Sequence, residues 1–72
     1  MKYTTHAYQR MVDRGISEQD VELSKRRPVG PPEPGSSMST IVVEGMATGG
    51  RRLKIVLSTT DSDLVISTYW VS

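Results

Sequence analysis

Apolar positions change their period partway along the chain. In "HAYQRMVDR", Ala7 and Met11 recur four residues apart among polar neighbours, which predicts a helix over His6–Arg14. Thr4 or Thr5 stands where an N-cap is needed, and Gly15 follows as a C-terminal stop. "ISEQDV" then offers Ser17 as N-cap with Asp20 three residues on, a capping box with the shorter acid. Ile16 and Val21 flank it at the spacing of a hydrophobic staple, so a second helix starts at Glu18 and ends near Ser24 or Lys25.

From Ser39 onward the period falls to two. "STIVVEGMA" is β-branched and apolar, and Gly49-Gly50 is well placed for a tight hairpin turn. "RRLKIVLST" returns with Leu53, Ile55 and Leu57 on one face and Lys54 and Val56 on the other. "TDSD" makes the next turn. "LVISTYWVS" is a third strand, alternating Val65, Ser67 and Tyr69 against Ile66, Thr68 and Trp70, with Trp70 read as packing. Between the two halves, the Pro/Gly/Ser-rich residues 28–37 hold all four prolines and read as an exposed loop or an extended edge. The expected fold is α+β in two layers: two N-terminal helices packed on a three- to four-stranded antiparallel sheet.

Composition narrows the chemistry. Seventy-two residues make a single domain, and a chain of this size buries only about 60% of its unfolded surface. There is no cysteine and one histidine, so neither a disulfide nor a structural zinc site is expected. Absence of cysteine suits a reducing cytoplasm and is equally compatible with an oxidising space. No apolar run approaches a membrane span. The net charge of +1 hides an uneven spread. Arg51, Arg52 and Lys54 cluster at the start of one strand, while residues 28–50 carry only Glu33 and Glu44 as charges.

The remaining basic residues make a pattern. His6, Arg10 and Arg14 recur every four residues, at about 0°, 40° and 80° around the first helix. Ala7 and Met11 fall at about 100° and 140°, so the basic stripe borders the apolar one, along the seam between helix and sheet. A cation in the first turn opposes the helix dipole, so His6 is not there for helix stability. Spacing alone leaves two readings open: a solvated charged face, or a site that handles an anion.

"THAYQRMVDRGISEQDVE" resembles the opening signature of a small bacterial uncharacterised-domain family, His-Ala-x-x-Arg-Met-x-x-Arg-Gly-Ile-Ser-x-x-Asp-Val. "GRRLKIVLS…LVISTYW" is similar to the end of that family. The likeness covers residues 4–25 and 50–70. The family is grouped with the barnase/EndoU/colicin/RelE-like ribonucleases, many of them toxins paired with an antitoxin or immunity protein. The resemblance implies a RelE- or barnase-like two-layer fold and a bacterial toxin that hydrolyses RNA. It carries over His6, Arg10 and Arg14 as site residues, with Thr68 and Tyr69 from the closing strand. Lys54, Arg51 and Arg52 are added from charge and position as phosphate contacts. The Pro-rich residues 28–34 depart from the family, which leaves the strand count open.

Such chemistry needs no metal or cofactor, because the 2′-hydroxyl of RNA can attack the adjacent phosphorus. It needs a base, an acid and positive charge for the phosphorane oxygens. Imidazoles ordinarily titrate near working pH, and guanidinium groups grip phosphate with paired donors. With one histidine, the second proton-transfer role falls to Tyr69, Lys54 or the substrate's phosphate. The expected partners are RNA (tRNA or mRNA) and a cognate antitoxin or immunity protein, with no membrane. The expected place of action is the bacterial cytoplasm, reached directly or as the C-terminal part of a larger secreted toxin. A non-catalytic RNA- or protein-binding module of the same fold is the alternative, and a ribosome-dependent RelE-like toxin is another.

Overall fold

The computed structural model describes residues 1–71. Strand β1 (Lys2–Tyr3) is followed by helices α1 (Thr5–Arg14) and α2 (Glu18–Arg26), and then by strands β2 (Glu33–Pro34), β3 (Thr40–Met46), β4 (Arg52–Ser58) and β5 (Leu64–Trp70). The five strands form one sheet in the order β1-β5-β4-β3-β2. All pairings are antiparallel except β1 with β5, which is parallel. Both helices pack on one face of the sheet. The α+β, helix-on-sheet expectation stands, while the sheet is mixed and larger than three or four antiparallel strands. Among the described residues no helix is long and apolar enough to cross a membrane.

Local signals explain the helix ends. Thr4 caps α1 by accepting the Ala7 N–H at 3.0 Å, and the same hydroxyl donates to the Ile66 carbonyl of β5. Gly15 ends the helix at φ 65°, a left-handed position that favours glycine. At α2 the Ser17–Asp20 capping box is complete, with both bonds at 3.0 Å. Asp20 also accepts the Thr48 N–H at 3.2 Å, which ties the start of α2 to the β3–β4 turn. Burial pushes the Asp20 carboxyl up, but the hydrogen bonds from Thr48 and Ser17 outweigh it and hold the group below its ordinary value.

The core lies between helices and sheet. Ala7, Met11, Ile16 and Val21 from the helical half meet Leu53, Ile55, Leu57 and Val65 from the strands, all at most 5% exposed. Gly45 of β3 passes directly under α2, where an added Cβ would lie 1.9 Å from the Ser24 carbonyl oxygen. No other residue fits that crossing. The hairpin turn is a 3-10 turn at Thr48–Gly50, with Gly49 and Gly50 at φ 76° and 78°.

One open reading is decided here and one expectation changes. Residues 28–37 form an extended edge and not a free loop. Val29 donates to the Glu44 carbonyl, Met46 donates to the Arg27 carbonyl, and Gly35 donates to the Thr40 carbonyl. Glu33 and Pro34 pair with Val42 and Ile41. Prolines are tolerated because this is the outermost strand, whose other side needs no donors. The alternation in β5 is also broken. A bulge opposite Val56 and Leu57 inserts one residue, so Val65 faces the core together with Thr68, while Ser67 and Tyr69 face the other way. β1 was not anticipated, since two residues carry no period. It is anchored by Lys2, whose ammonium lies 2.6 Å from Asp61. Their hydrogen bond raises the Lys2 ammonium and lowers the Asp61 carboxyl from ordinary values.

Candidate functional site

The sheet face that the helices leave uncovered holds a cleft of about 580 Å³. Its floor is a cross-strand row, Val42 of β3, Val56 of β4 and Ser67 of β5, set by the strand register. The next row of the same face adds Lys54 and Tyr69. His6 closes the cleft on one side. It arrives there because β1 and the Thr4 cap pin the first turn of α1 to the edge of β5. Glu33 and the Gly35–Ser37 segment close the other side. The Thr40 hydroxyl shapes that segment by donating to the Ser37 carbonyl at 3.0 Å.

Three of the residues singled out in the sequence therefore share one cleft: His6, Lys54 and Tyr69. They come from α1, β4 and β5, so only the folded chain brings them together. The other members are placed differently. Arg14 does not line the cleft; its guanidinium donates to the Thr68 carbonyl at 2.6 Å, on the side of β5 beyond β1. That bond covers part of an exposed strand edge. Trp70 returns the contact, its indole N–H donating to the Arg14 carbonyl at 2.7 Å, so the end of α1 is stapled to β5 from both directions. Arg10 is exposed, one turn from each of its stripe partners and outside the cleft lining.

Thr68 requires a correction. It is fully buried on the helix-covered side, and its hydroxyl oxygen has no hydrogen-bond partner among the described residues. The bulge in β5 sets this facing, and a side chain in the interior cannot meet a substrate on the opposite face. Arg51 and Arg52 are adjacent and point apart. The Arg51 guanidinium stacks 3.8 Å above the Trp70 ring, and Arg52 pairs with Glu44 at 3.3 Å. Neither lines the cleft.

Glu33 is the cleft residue that sequence reasoning passed over. It is the only charged residue between positions 28 and 43, and that isolation within a proline-rich segment was the available signal. Pairing of β2 with β3 puts it in the same row as Val42, Val56 and Ser67, across the cleft floor from His6. The cleft thus gathers an imidazole, an ammonium, a phenol and a carboxylate around a partly apolar floor. Such a set can transfer protons and hold an anion. Among the described residues, no three His, Asp or Glu side chains gather as a group that could hold a metal ion. Comparison of the sequence with protein-family models and curated proteins, and of the fold with solved structures, finds no match.

Proposed function

We propose that the chain is a metal-independent endoribonuclease that works through this cleft. The observation that carries the reading is the meeting of the single histidine with Lys54, Tyr69 and Glu33 on the open face of the sheet. In the reaction the 2′-oxygen attacks phosphorus and the 5′-oxygen leaves, giving a 2′,3′-cyclic phosphate and a 5′-hydroxyl. One proton leaves the 2′-hydroxyl and one reaches the 5′-oxygen, so a base and an acid act on opposite sides of the phosphate. His6 and Glu33 fill these two roles from the two walls, and Lys54 neutralises the phosphorane oxygens between them. Tyr69 stacks a base or donates to the phosphate. Arg10, exposed on the stripe behind His6, draws the polyanion toward the cleft. The fold class and the opening resemblance support an RNA-directed toxin of the bacterial cytoplasm, held by a cognate inhibitor.

The test is cleavage of total bacterial RNA by the purified chain and by His6→Ala. The variant is expected to lose about 10²- to 10⁴-fold in rate while unfolding at the same temperature. A 2′-deoxy nucleotide at the cut site blocks cleavage. Undiminished cutting by the folded variant would remove His6 from the mechanism. A second reading has one observation in its favour. With Arg14 committed to the Thr68 carbonyl, Lys54 is the one lysine or arginine in the cleft lining, which suits a module that retains RNA without cutting it. Salt-sensitive retention with no new RNA ends would decide for that reading.

A further inference from the structure

The uncovered sheet face continues past the cleft toward the β3–β4 turn. Glu44, Lys54 and Tyr69 stand in one cross-strand row, and Met46 with Arg52 in the row beyond it. Lys54 and Tyr69 already line the cleft, so the two surfaces are continuous. Arg52 is two residues from Lys54 on the same face of β4, a step of about 7 Å. Its guanidinium Nη1 lies 3.3 Å from Oε2 of Glu44, with the Arg52 side chain 57% exposed. Glu44 is also the direct cross-strand partner of Lys54. One carboxylate therefore pairs with Arg52 and stands cross-strand from Lys54, whose other neighbour in the row, Tyr69, is 37% exposed. An exposed pair of this kind adds little to stability. What it does achieve is to mask a cation on a surface that leads straight out of the cleft.

We infer that this row is the binding subsite for nucleotides flanking the cleft, that its occupant is single-stranded RNA, and that Glu44 is the counter-ion that RNA must displace. The inference rests on the cleft being the RNA site. Lys54 and Arg52 are spaced to take successive phosphates of an extended strand, with Tyr69 stacking the base between them. Single-stranded RNA fits because only unpaired bases can be splayed onto an aromatic ring; a duplex keeps the faces of its bases stacked away from this surface. Phosphate and the Glu44 carboxylate compete for the same guanidinium fork, so removing the carboxylate's charge strengthens binding.

The probe is a 2′-O-methyl RNA of about a dozen nucleotides, which cannot be cut by 2′-hydroxyl attack and spans a site of this length. Affinity is read across a salt series, with the unfolding temperature of each variant recorded. Glu44→Gln is expected to tighten binding by about three- to fivefold and to steepen the log–log salt slope by about 0.7, one further phosphate contact. Asp13→Asn removes the same charge from an exposed position on α1, outside the cleft lining, and is expected to change affinity by less than about twofold. In an Arg52→Ala background the gain from Glu44→Gln disappears. Equal gains from Glu44→Gln and Asp13→Asn, or a gain that survives Arg52→Ala, would overturn the subsite. RNA binding with the Glu44 effect but no cleavage of ordinary RNA would sink the nuclease and leave the subsite standing. Cleavage without the Glu44 effect would do the reverse, and failure to bind the probe overturns the subsite outright.

Discussion

The two faces of the sheet are built from the same strands and do opposite things. Along β4, Leu53, Ile55 and Leu57 lie under the helices at 0–3% exposure, while Lys54 and Val56, the residues between them, line the cleft. A one-residue step along this strand moves from the residues that hold the fold to those that line the candidate site. Stability is therefore concentrated on one side, and the open side is left free to hold groups that a core would reject. The small size of the domain sharpens this division, because little apolar surface is available to be spent elsewhere.

The largest expected effect tests whether the covered face tolerates any change at its closest crossing. Gly45→Val forces a side chain into the Ser24 carbonyl and is expected to leave the chain unfolded, as seen by loss of cooperative melting. Neighbours on β4 give the direct contrast. Ile55→Ala is expected to cost about 2–4 kcal/mol in denaturant unfolding, against less than about 1 kcal/mol for Val56→Thr. Equal costs would mean that the two faces are not divided as described.

Asp20 tests the tie between α2 and the hairpin. Asp20→Ala is expected to cost about 1–3 kcal/mol, through the lost cap and the lost bond to Thr48. Its folded-state carboxyl titrates below the unfolded value of about 3.9. The contribution is therefore complete above that value and is lost as pH falls through the folded one. Thermal midpoints measured from pH 5 down to about 2 should fall less steeply in Asp20→Asn than in the parent chain.

The smallest effect has the opposite sign. Thr68→Val keeps the shape and removes a buried hydroxyl that has no partner, so stability should rise by up to about 1 kcal/mol. Loss of RNA cleavage in a well-folded Thr68→Val would place that hydroxyl at the substrate and reverse its assignment to the interior.

Much of the fold was legible because its signals are local. The Thr4 and Ser17 caps, the Gly15 stop, and the alternation in β4 each act over a few residues, and each lies where the pattern put it. The site was legible only in its members. His6, Lys54 and Tyr69 stood out by type and position, but nothing in their spacing showed that they meet. Arg14 shared the spacing of the stripe, but spacing does not show that its guanidinium donates to a strand carbonyl. Thr68 came in with Tyr69 from the resemblance alone, and the strand register turns the two to opposite faces of the sheet.

What the sequence determined by itself is the two helices and the three long strands, since capping, staple and period are short-range properties of neighbouring residues. What only the tertiary structure decided is the cleft. Its walls depend on β1 and β2, two-residue strands that exist because distant partners supply their hydrogen bonds. Without that long-range pairing His6 and Glu33 have no reason to face one another, and no local pattern encodes their meeting.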